Sequence, residues 1–466
     1  MVHTYKSHGY HIVLDVNSGV VHHVDEVAYD IIELLSVGVD KKSITEDILK
    51  KYKTRKDVTK AEIAEVFQDV EALTAQGKLF SPDLYAEMAT EFKGRQSVVK
   101  ALCLHMAHDC NLACKYCFAG EGDYHSPKGL MSFQVGKQAL DFLIAHSEGR
   151  HNLEVDFFGG EPLLNFQVIK DLVAYGREKE KRYDKKFRFT LTTNGVLLDD
   201  EVIAFANKEM SNVVLSLDGR KETNDRFRLT KNNQGSYHMI LPGFLKLAES
   251  RDHKDYYIRG TYTHYNTDFT EDLLHMADLG FKELSMEPVV APASADYALT
   301  EEDLPKLLAQ YDRLAEEMLK RKGTDREFKF YHYTIDLTGG PCIVKRVSGC
   351  GVGTEYMAVT PEGDLYPCHQ FVGEEGFRMG NVFQGITKDE VGGAFKDCNI
   401  YSHSECKDCF ARMYCSGGCA ANAYHTTGSI NGVYDLGCEL HRKRIECAIM
   451  LQVAALEEEN KLNSLV

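Results

Sequence analysis

The sequence predicts an α/β protein: a partial (βα)6 barrel of the TIM type, preceded by a small winged-helix-like α+β module and followed by a cysteine-rich C-terminal domain. Three observations predict it. Between Val98 and Glu287 short apolar runs alternate with helical periodicity, the signature of parallel βαβ units. The first 90 residues carry short strand-like runs and then three helical patterns. Of the 14 cysteines, nine crowd between Cys342 and Cys438, which scattered core thiols would not do.

In the N-terminal segment, Tyr10-Asp15 and Val20-Val24 alternate as strands around the turn Val16-Asn17-Ser18-Gly19. Ala28-Leu35, Ile44-Tyr52 with Ser43 as cap, and Thr59-Gln76 then follow the helical period. The barrel strands are expected at 98–104, 153–158, 187–192, 212–217, 257–262 and 283–287. Reactive residues in such barrels gather on the loops after the C-terminal strand ends. A charged helix, Glu301-Arg321, capped by Thr300 with Asp303 three residues on, leads into the cysteine-rich part. There Pro361-Glu362-Gly363 turns between two short strands, and Glu439-Leu456 closes the chain as a helix. The expected domains are 1–95, 96–330 and 331–466.

With 466 residues, 44% apolar and 27% charged, the chain has the composition of a multi-domain globular protein. No apolar run is long enough for a membrane span, and the start MVHTYKSHGYHIVLDV lacks the basic and apolar regions of a secretory signal. A cytoplasmic location is expected, where thiols stay reduced and clustered cysteines point to metal or catalysis. The net charge of -16 argues against nucleic acid as a partner. Residues 1–90 hold 10 Lys plus Arg against 15 Asp plus Glu, poor for phosphate contacts. A peptide or small molecule is the expected partner.

Cys110-Asn-Leu-Ala-Cys114-Lys-Tyr-Cys117 follows the first barrel strand. Its three thiolates can hold three corners of a 4Fe-4S cube and leave one iron open to a substrate. A zinc site or three unrelated thiols are the alternatives. Gly159-Gly160-Glu161-Pro162 follows strand two, Thr192-Thr193-Asn194 strand three, Ser216-Leu217-Asp218 strand four and Met286-Glu287-Pro288 strand six, with Arg228 in Asn224-Asp-Arg-Phe-Arg228. The C-x3-C-x2-C spacing with Tyr116 before the last cysteine resembles the radical S-adenosylmethionine (SAM) superfamily motif. The resemblance implies that Cys110, Cys114 and Cys117 carry the catalytic cluster and that SAM chelates its open iron. It implies further that Gly159, Gly160, Glu161 and Pro162 receive the SAM ammonium, that Thr192, Asn194, Ser216 and Asp218 meet ribose and carboxylate groups, that Arg228 meets the SAM carboxylate, and that Met286 lines the adenine.

The second array, Cys350-x12-Gly363-x4-Cys368, Cys406-x2-Cys409-x5-Cys415-x3-Cys419 and Cys438, resembles the seven-cysteine SPASM motif. Zinc remains the alternative here, because C-x2-C pairs also build tetrahedral sites. The resemblance implies two auxiliary 4Fe-4S clusters, one on Cys350, Cys368 and Cys419, the other on Cys406, Cys409, Cys415 and Cys438, for three clusters in all. Cys103, Cys398 and Cys447 lie outside the motifs and are expected to be structural. Cys342 either closes the first auxiliary cluster or leaves its iron open to a substrate thiolate.

The N-terminal module resembles a RiPP recognition element, the PqqD-like winged helix that captures a leader peptide by adding it as a strand. Val20-Val24 is the candidate edge. With Gly349-Cys-Gly-Val-Gly-Thr-Glu-Tyr356 and Tyr366-Pro-Cys-His-Gln-Phe371, the chain resembles maturases of the SCIFF (six cysteines in forty-five residues) group, which make sactipeptide and ranthipeptide thioethers. This implies that a 5'-deoxyadenosyl radical abstracts hydrogen from a cysteine-rich precursor peptide, that a cysteine sulfur bonds to the resulting carbon, and that a donor such as ferredoxin or flavodoxin supplies electrons. Two other readings stand beside it: oxidation of a Ser or Cys side chain, as in anaerobic sulfatase maturation, and a metal-sensing winged-helix regulator. Because recognition and chemistry are assigned to different domains, removal of residues 1–90 is expected to spare SAM cleavage.

Overall fold

The structure is a computed structural model of the chain and describes residues 1–87, 89, 94, 96–337 and 342–463. The expected domain limit at residue 95 lies outside the described residues. In order, the strands are β1 (Val2–Ser7), β2 (Tyr10–Asp15), β3 (Val21–Val24), β4 (Ala101–Ala107), β5 (Leu112–Cys114), β6 (Asn152–Gly159), β7 (Lys186–Thr193), β8 (Met210–Ser216), β9 (Arg228–Thr230), β10 (Tyr256–Tyr262), β11 (Glu283–Pro288), β12 (Lys329–Phe330), β13 (Tyr356–Val359), β14 (Asp364–Tyr366), β15 (Gly380–Asn381) and β16 (Gly385–Ile386).

The main sheet runs β12-β11-β10-β8-β7-β6-β4-β13-β14-β15-β16. The pairings from β12 through to β13 are parallel and the last three antiparallel. This is the α/β partial barrel expected, with six βα strands at its centre. It is longer than expected at both ends, because β12 extends one edge and the β13–β16 meander of the cysteine-rich region extends the other. Two-residue strands carry no periodicity, and a pairing between β13 and β4 some 250 residues apart leaves no local trace. The first barrel strand lies three residues later than expected: its alternation continues through Leu104 and Met106 on the helix side, and polar His105 breaks the apolar run without breaking the strand.

One face of the sheet is dry. Leu153, Val155 and Phe157 of β6, Phe187, Phe189 and Leu191 of β7, and Tyr256, Ile258 and Tyr262 of β10 share one hydrophobic core with the surrounding helices. The intervening positions, Asp156, Thr190, Thr192, Ser216, Tyr257, Arg259, Ser285 and Glu287, therefore point into the barrel lumen. The helix Leu304–Arg321 enters through a capping box in which Thr300 and Asp303 each bond the other's backbone, as the sequence indicates. The C-terminal helix Asp435–Asn463 packs against it through Leu440, Ile445 and Met450.

The N-terminal module is a three-stranded antiparallel sheet, β1-β2-β3, with the helices Glu26–Ser36, Lys41–Lys51 and Lys60–Ala75. β1 was not expected, and Asp40, whose carboxylate accepts from Lys42 N and Ser43 N, caps the second helix in place of Ser43. Tyr5, Ile12, Leu14 and Val16 join the main core. His3 stacks on Phe410 at 3.6 Å, and Arg412, buried beside it, donates to Asn17 and Asp83 at 2.7 and 2.8 Å. The module and the cysteine-rich region thus share buried apolar surface and a half-buried ion pair. Removal of residues 1–90 is for that reason expected to unfold the cysteine-rich region rather than spare it, correcting the expectation of separable domains. Leu14→Ala should lower the unfolding free energy by about 2–5 kcal/mol, read by chemical denaturation of the whole chain, while exposed Lys53→Ala should leave it within about 0.5 kcal/mol.

Candidate active site and cysteine clusters

β4 delivers the chain to Cys110, and the loop after β6 lies directly against it. Gly160 N donates to Ala107 O at 2.8 Å and Glu161 N to Asp109 O at 2.9 Å. A Cβ at Gly160 would lie 2.1 Å from Asp109 O and one at Gly159, where φ is +119°, 2.4 Å from Ala107 O. Only glycine admits this backbone approach. Glu161, 1% exposed, accepts from Leu163 N, Thr193 Oγ1 and Asn194 N at 3.1, 2.8 and 2.9 Å. Burial raises its pKa to about 7 against those bonds. Its carboxylate is thus engaged within the chain, tying β6 to β7. Pro162 starts the short helical turn that Glu161 caps.

The turn after β7 presents Asn194, whose Nδ2 lies 3.5 Å from Cys110 Sγ and donates to Asn111 Oδ1 at 2.7 Å. Thr192 and Ser216 lie half-buried on the lumen side. β5 and β9 form a small antiparallel ribbon in which Cys114 is opposite Arg228. That ribbon places the Arg228 guanidinium over the Tyr116 ring at 5.6 Å and its Nε 3.0 Å from Asp218 Oδ1. Tyr116 OH donates to the other Asp218 oxygen at 2.6 Å, and Thr261 N to Oδ1 at 3.0 Å. Among the described residues the Arg228 Nε–H makes no well-aimed hydrogen bond, its contact with Asp218 being an ion pair by distance, and Asn111 Nδ2 has no hydrogen-bond partner. The pair is attractive by distance but unsaturated in direction. Met286, by contrast, lies fully buried in the core on the helix side of β11, against Gly260. It does not face the lumen; its neighbours Ser285 and Glu287 do.

Burial, with smaller effects from neighbouring charges, pushes the Cys110 and Cys114 thiols up to about 12 and Cys117 in the same direction. Such thiols stay protonated unless a metal takes the proton's place. Beside them stand an unsaturated guanidinium and a free amide, groups that suit the carboxylate of an amino-acid ligand. The residues present fit a cluster with SAM.

In the C-terminal region, Cys406, Cys409, Cys415 and Cys438 line one cavity. Cys350 and Cys419 are close enough to add to the rise, chiefly from burial, of Cys368 well beyond an ordinary thiol. Cys406, Cys409, Cys415 and Cys438 thus share a cavity and Cys350, Cys368 and Cys419 are neighbours, while among the described residues no three Cys, His or carboxylate side chains are arranged as a metal-binding group. Cys342 is exposed at the start of the helix Ile343–Ser348. Cys398, expected to be structural, donates to Ile430 O at 3.1 Å and packs in the apolar cluster around Cys368. Its thiol, pushed up to about 11 by burial, feels Cys350 and Cys419 as well. Cys103 and Cys447 are buried.

Sequence reasoning missed the lumen. His369 stacks near Phe118 and Phe158 at 5.5 and 5.0 Å, bridging the loop of Cys117 and that of Cys368. Burial, then Arg259, lowers its pKa to about 4. Glu287 meets Arg444 at 3.3 Å and His332 at 3.1 Å. Burial would raise this carboxyl, but Arg444 foremost holds it down at about 2. The available signal was polar residues at alternate positions of otherwise apolar strands.

Residues 104–286 match the radical SAM superfamily and residues 350–410 the SPASM iron-sulfur cluster-binding domain. A cysteine-type anaerobic sulfatase-maturating enzyme of Clostridium novyi is 25% identical over 331 residues, 67% of this chain and 86% of its own length. The radical SAM cyclopropyl synthase TigE of Paramaledivibacter caminithermalis is 22% identical over 74% of this chain and 72% of its own. Among solved structures, native anSMEcpe with AdoMet and the Kp18Cys peptide superposes with a TM-score of 0.63 at 22% identity, covering 77% of this chain and 99% of that one. Streptococcus suis SuiB bound to the precursor peptide SuiA gives 0.51 at 16%, covering 92% and 97%. Fold and site define a radical SAM enzyme. The chain carries a radical SAM domain followed by a SPASM domain, which imply bound SAM and 4Fe-4S chemistry.

Replacing Cys110, Cys114 and Cys117 together by Ala should remove about four irons and abolish 5'-deoxyadenosine formation, measured by iron analysis and chromatography. Glu287→Gln leaves Arg444 short of its counter-charge and should cost about 2–3 kcal/mol at pH 7. Because the folded carboxyl titrates lower than the unfolded one, the wild-type advantage is present above the ordinary carboxyl pKa and fades as pH falls towards about 2; the two unfolding curves should converge in acid.

Proposed function

We propose that this chain is a peptide maturase that forms Cys-to-carbon thioether cross-links in a ribosomally synthesised, cysteine-rich precursor. The observation that carries this reading is the N-terminal module. β3 is the outer strand of its sheet, opposite β1, and so has one edge to offer an incoming strand. The module is seated by His3 and Arg412 on the region of Cys409 and Cys415. The similarity to SuiB with its precursor peptide spans 92% of this chain, against 77% for the sulfatase maturase. Among the described residues no helix is long and apolar enough to cross a membrane.

In this reading three clusters sit on the three cysteine sets, with Cys342 or a substrate thiolate completing the Cys350, Cys368 and Cys419 set. When bound, the first cluster and SAM supply the 5'-deoxyadenosyl radical. The chain's own part is to hold them: Asn194 against Cys110, Arg228 and Asp218 at the SAM carboxylate end, the Gly159-Gly160 backbone at the ammonium. For each bridge the substrate loses one hydrogen atom from carbon, one proton from sulfur and one electron. The electron leaves by the second cysteine array and a low-potential donor such as ferredoxin or flavodoxin supplies the reductive step.

A second reading, oxidation of a Cys or Ser side chain, is favoured by the similarity to the sulfatase-maturating enzymes. Mass spectrometry separates the two. Co-expression with a cysteine-rich peptide encoded beside the enzyme should give a product lacking two hydrogens per bridge, with all sulfur retained and the bridged thiols closed to alkylation. A product that has lost sulfur, or an aldehyde, would establish oxidation instead.

A further inference from the structure

The inner face of the barrel carries a cation, Arg259, that no described residue neutralises by direct contact. β10 turns Tyr256, Ile258 and Tyr262 to the core and Tyr257, Arg259 and Thr261 to the lumen. Arg259 is in register with Ser216 of β8 and Ser285 of β11, both small. Its side chain is exposed although the strand is flanked on both sides; the space it reaches is the lumen. No described residue gives it a hydrogen bond or an ion pair. The carboxylate nearest in the sheet, Glu287, is already taken by Arg444 and His332, and Arg444 also donates to Tyr311 at 2.7 Å.

The charge does not cancel. At this edge of the barrel two guanidinium groups face one carboxylate. The other lumen carboxylate, Asp156, stands three strands away on β6, where burial raises its pKa to about 7. Burial, aided by Arg259 at both and by Arg444 at His332, keeps His332 and His369 neutral near pH 7. One positive charge is left in a concave site walled by protein, where it attracts a single anion. Arg259 acts electrostatically on Glu287 and His332 on one side and on His369 on the other. It therefore lies between the edge of the barrel and the gap separating the Cys117 and Cys368 loops.

We propose that Arg259 anchors one anionic group of the peptide substrate, a thiolate or a carboxylate, inside the barrel lumen. The assignment rests on the reading of the chain as a peptide-modifying enzyme but not on thioether formation. A planar guanidinium offers two parallel donors and so fixes direction as well as charge, which a peptide reaching into the lumen needs if one carbon is to face the radical.

The test uses the reconstituted full-length enzyme with SAM and three blocked tripeptides, N-acetyl-Gly-Cys-Gly-amide, N-acetyl-Gly-Asp-Gly-amide and N-acetyl-Gly-Ser-Gly-amide. The readout is the probe concentration that half-saturates the change in 5'-deoxyadenosine formation, at pH 8.5. For the Cys or the Asp probe, Arg259→Gln should raise it about tenfold and Arg259→Lys less than about threefold, with no shift for the Ser probe. A shift with Cys alone assigns a thiolate, and with Asp alone a carboxylate. Ser285→Asp, which gives Arg259 an internal partner from the adjacent strand, should raise the value in the same way and guards against misfolding of the first variant, as does an unchanged iron content. Equal shifts for all three probes, or no saturation by either charged probe in the wild type, overturn the assignment. The thioether reading fails separately, on the mass of the precursor product.

Discussion

The approach of two backbones, at Ala107-Asp109 and Gly159-Glu161, is the constraint on which the site depends. Two hydrogen bonds close it, and the nearest side-chain atom would lie 2.1 Å from a carbonyl oxygen. Once the loops are locked, Glu161 is buried between strands and must be satisfied by Thr193 and Asn194. That bond in turn turns the Asn194 amide onto Cys110. A glycine pair thus fixes one corner of the thiol triad through a chain of obligatory hydrogen bonds.

The opposite corner is set by charge. Asp218 and Arg228 are both removed from water, a costly arrangement unless each compensates the other. The ribbon of β5 and β9 supplies the geometry by placing Arg228 across from Cys114, and Tyr116 caps the carboxylate. The imperfect aim of the Arg228 Nε–H means the pair is not closed on itself.

The third feature is the continuity of the sheet. Because β13 pairs with β4, the strands that carry Cys368 and those that lead to Cys110 belong to one hydrogen-bonded layer. His369 and Phe118 then meet across the lumen. The C-terminal helix closes the far edge with Arg444 on Glu287.

Much of this was legible in the residues. The Cys110–Cys117 spacing, the glycine pair and the βα alternation are local patterns whose meaning does not depend on what lies far away in the chain. By themselves they determined the class of fold. Other features depend on which distant elements touch. Met286 and Glu287 are adjacent in sequence, yet the period of two in a strand sends one to the core and the other to the lumen, and an error of one residue reverses them. That Glu161 is engaged internally, that Cys398 sits by Cys350 and Cys419, that residues 1–90 share a core with the C-terminal helix, and that Arg259 stands unpaired were decided only by the tertiary structure. Burial and charge compensation are properties of the assembled surroundings rather than of any one segment.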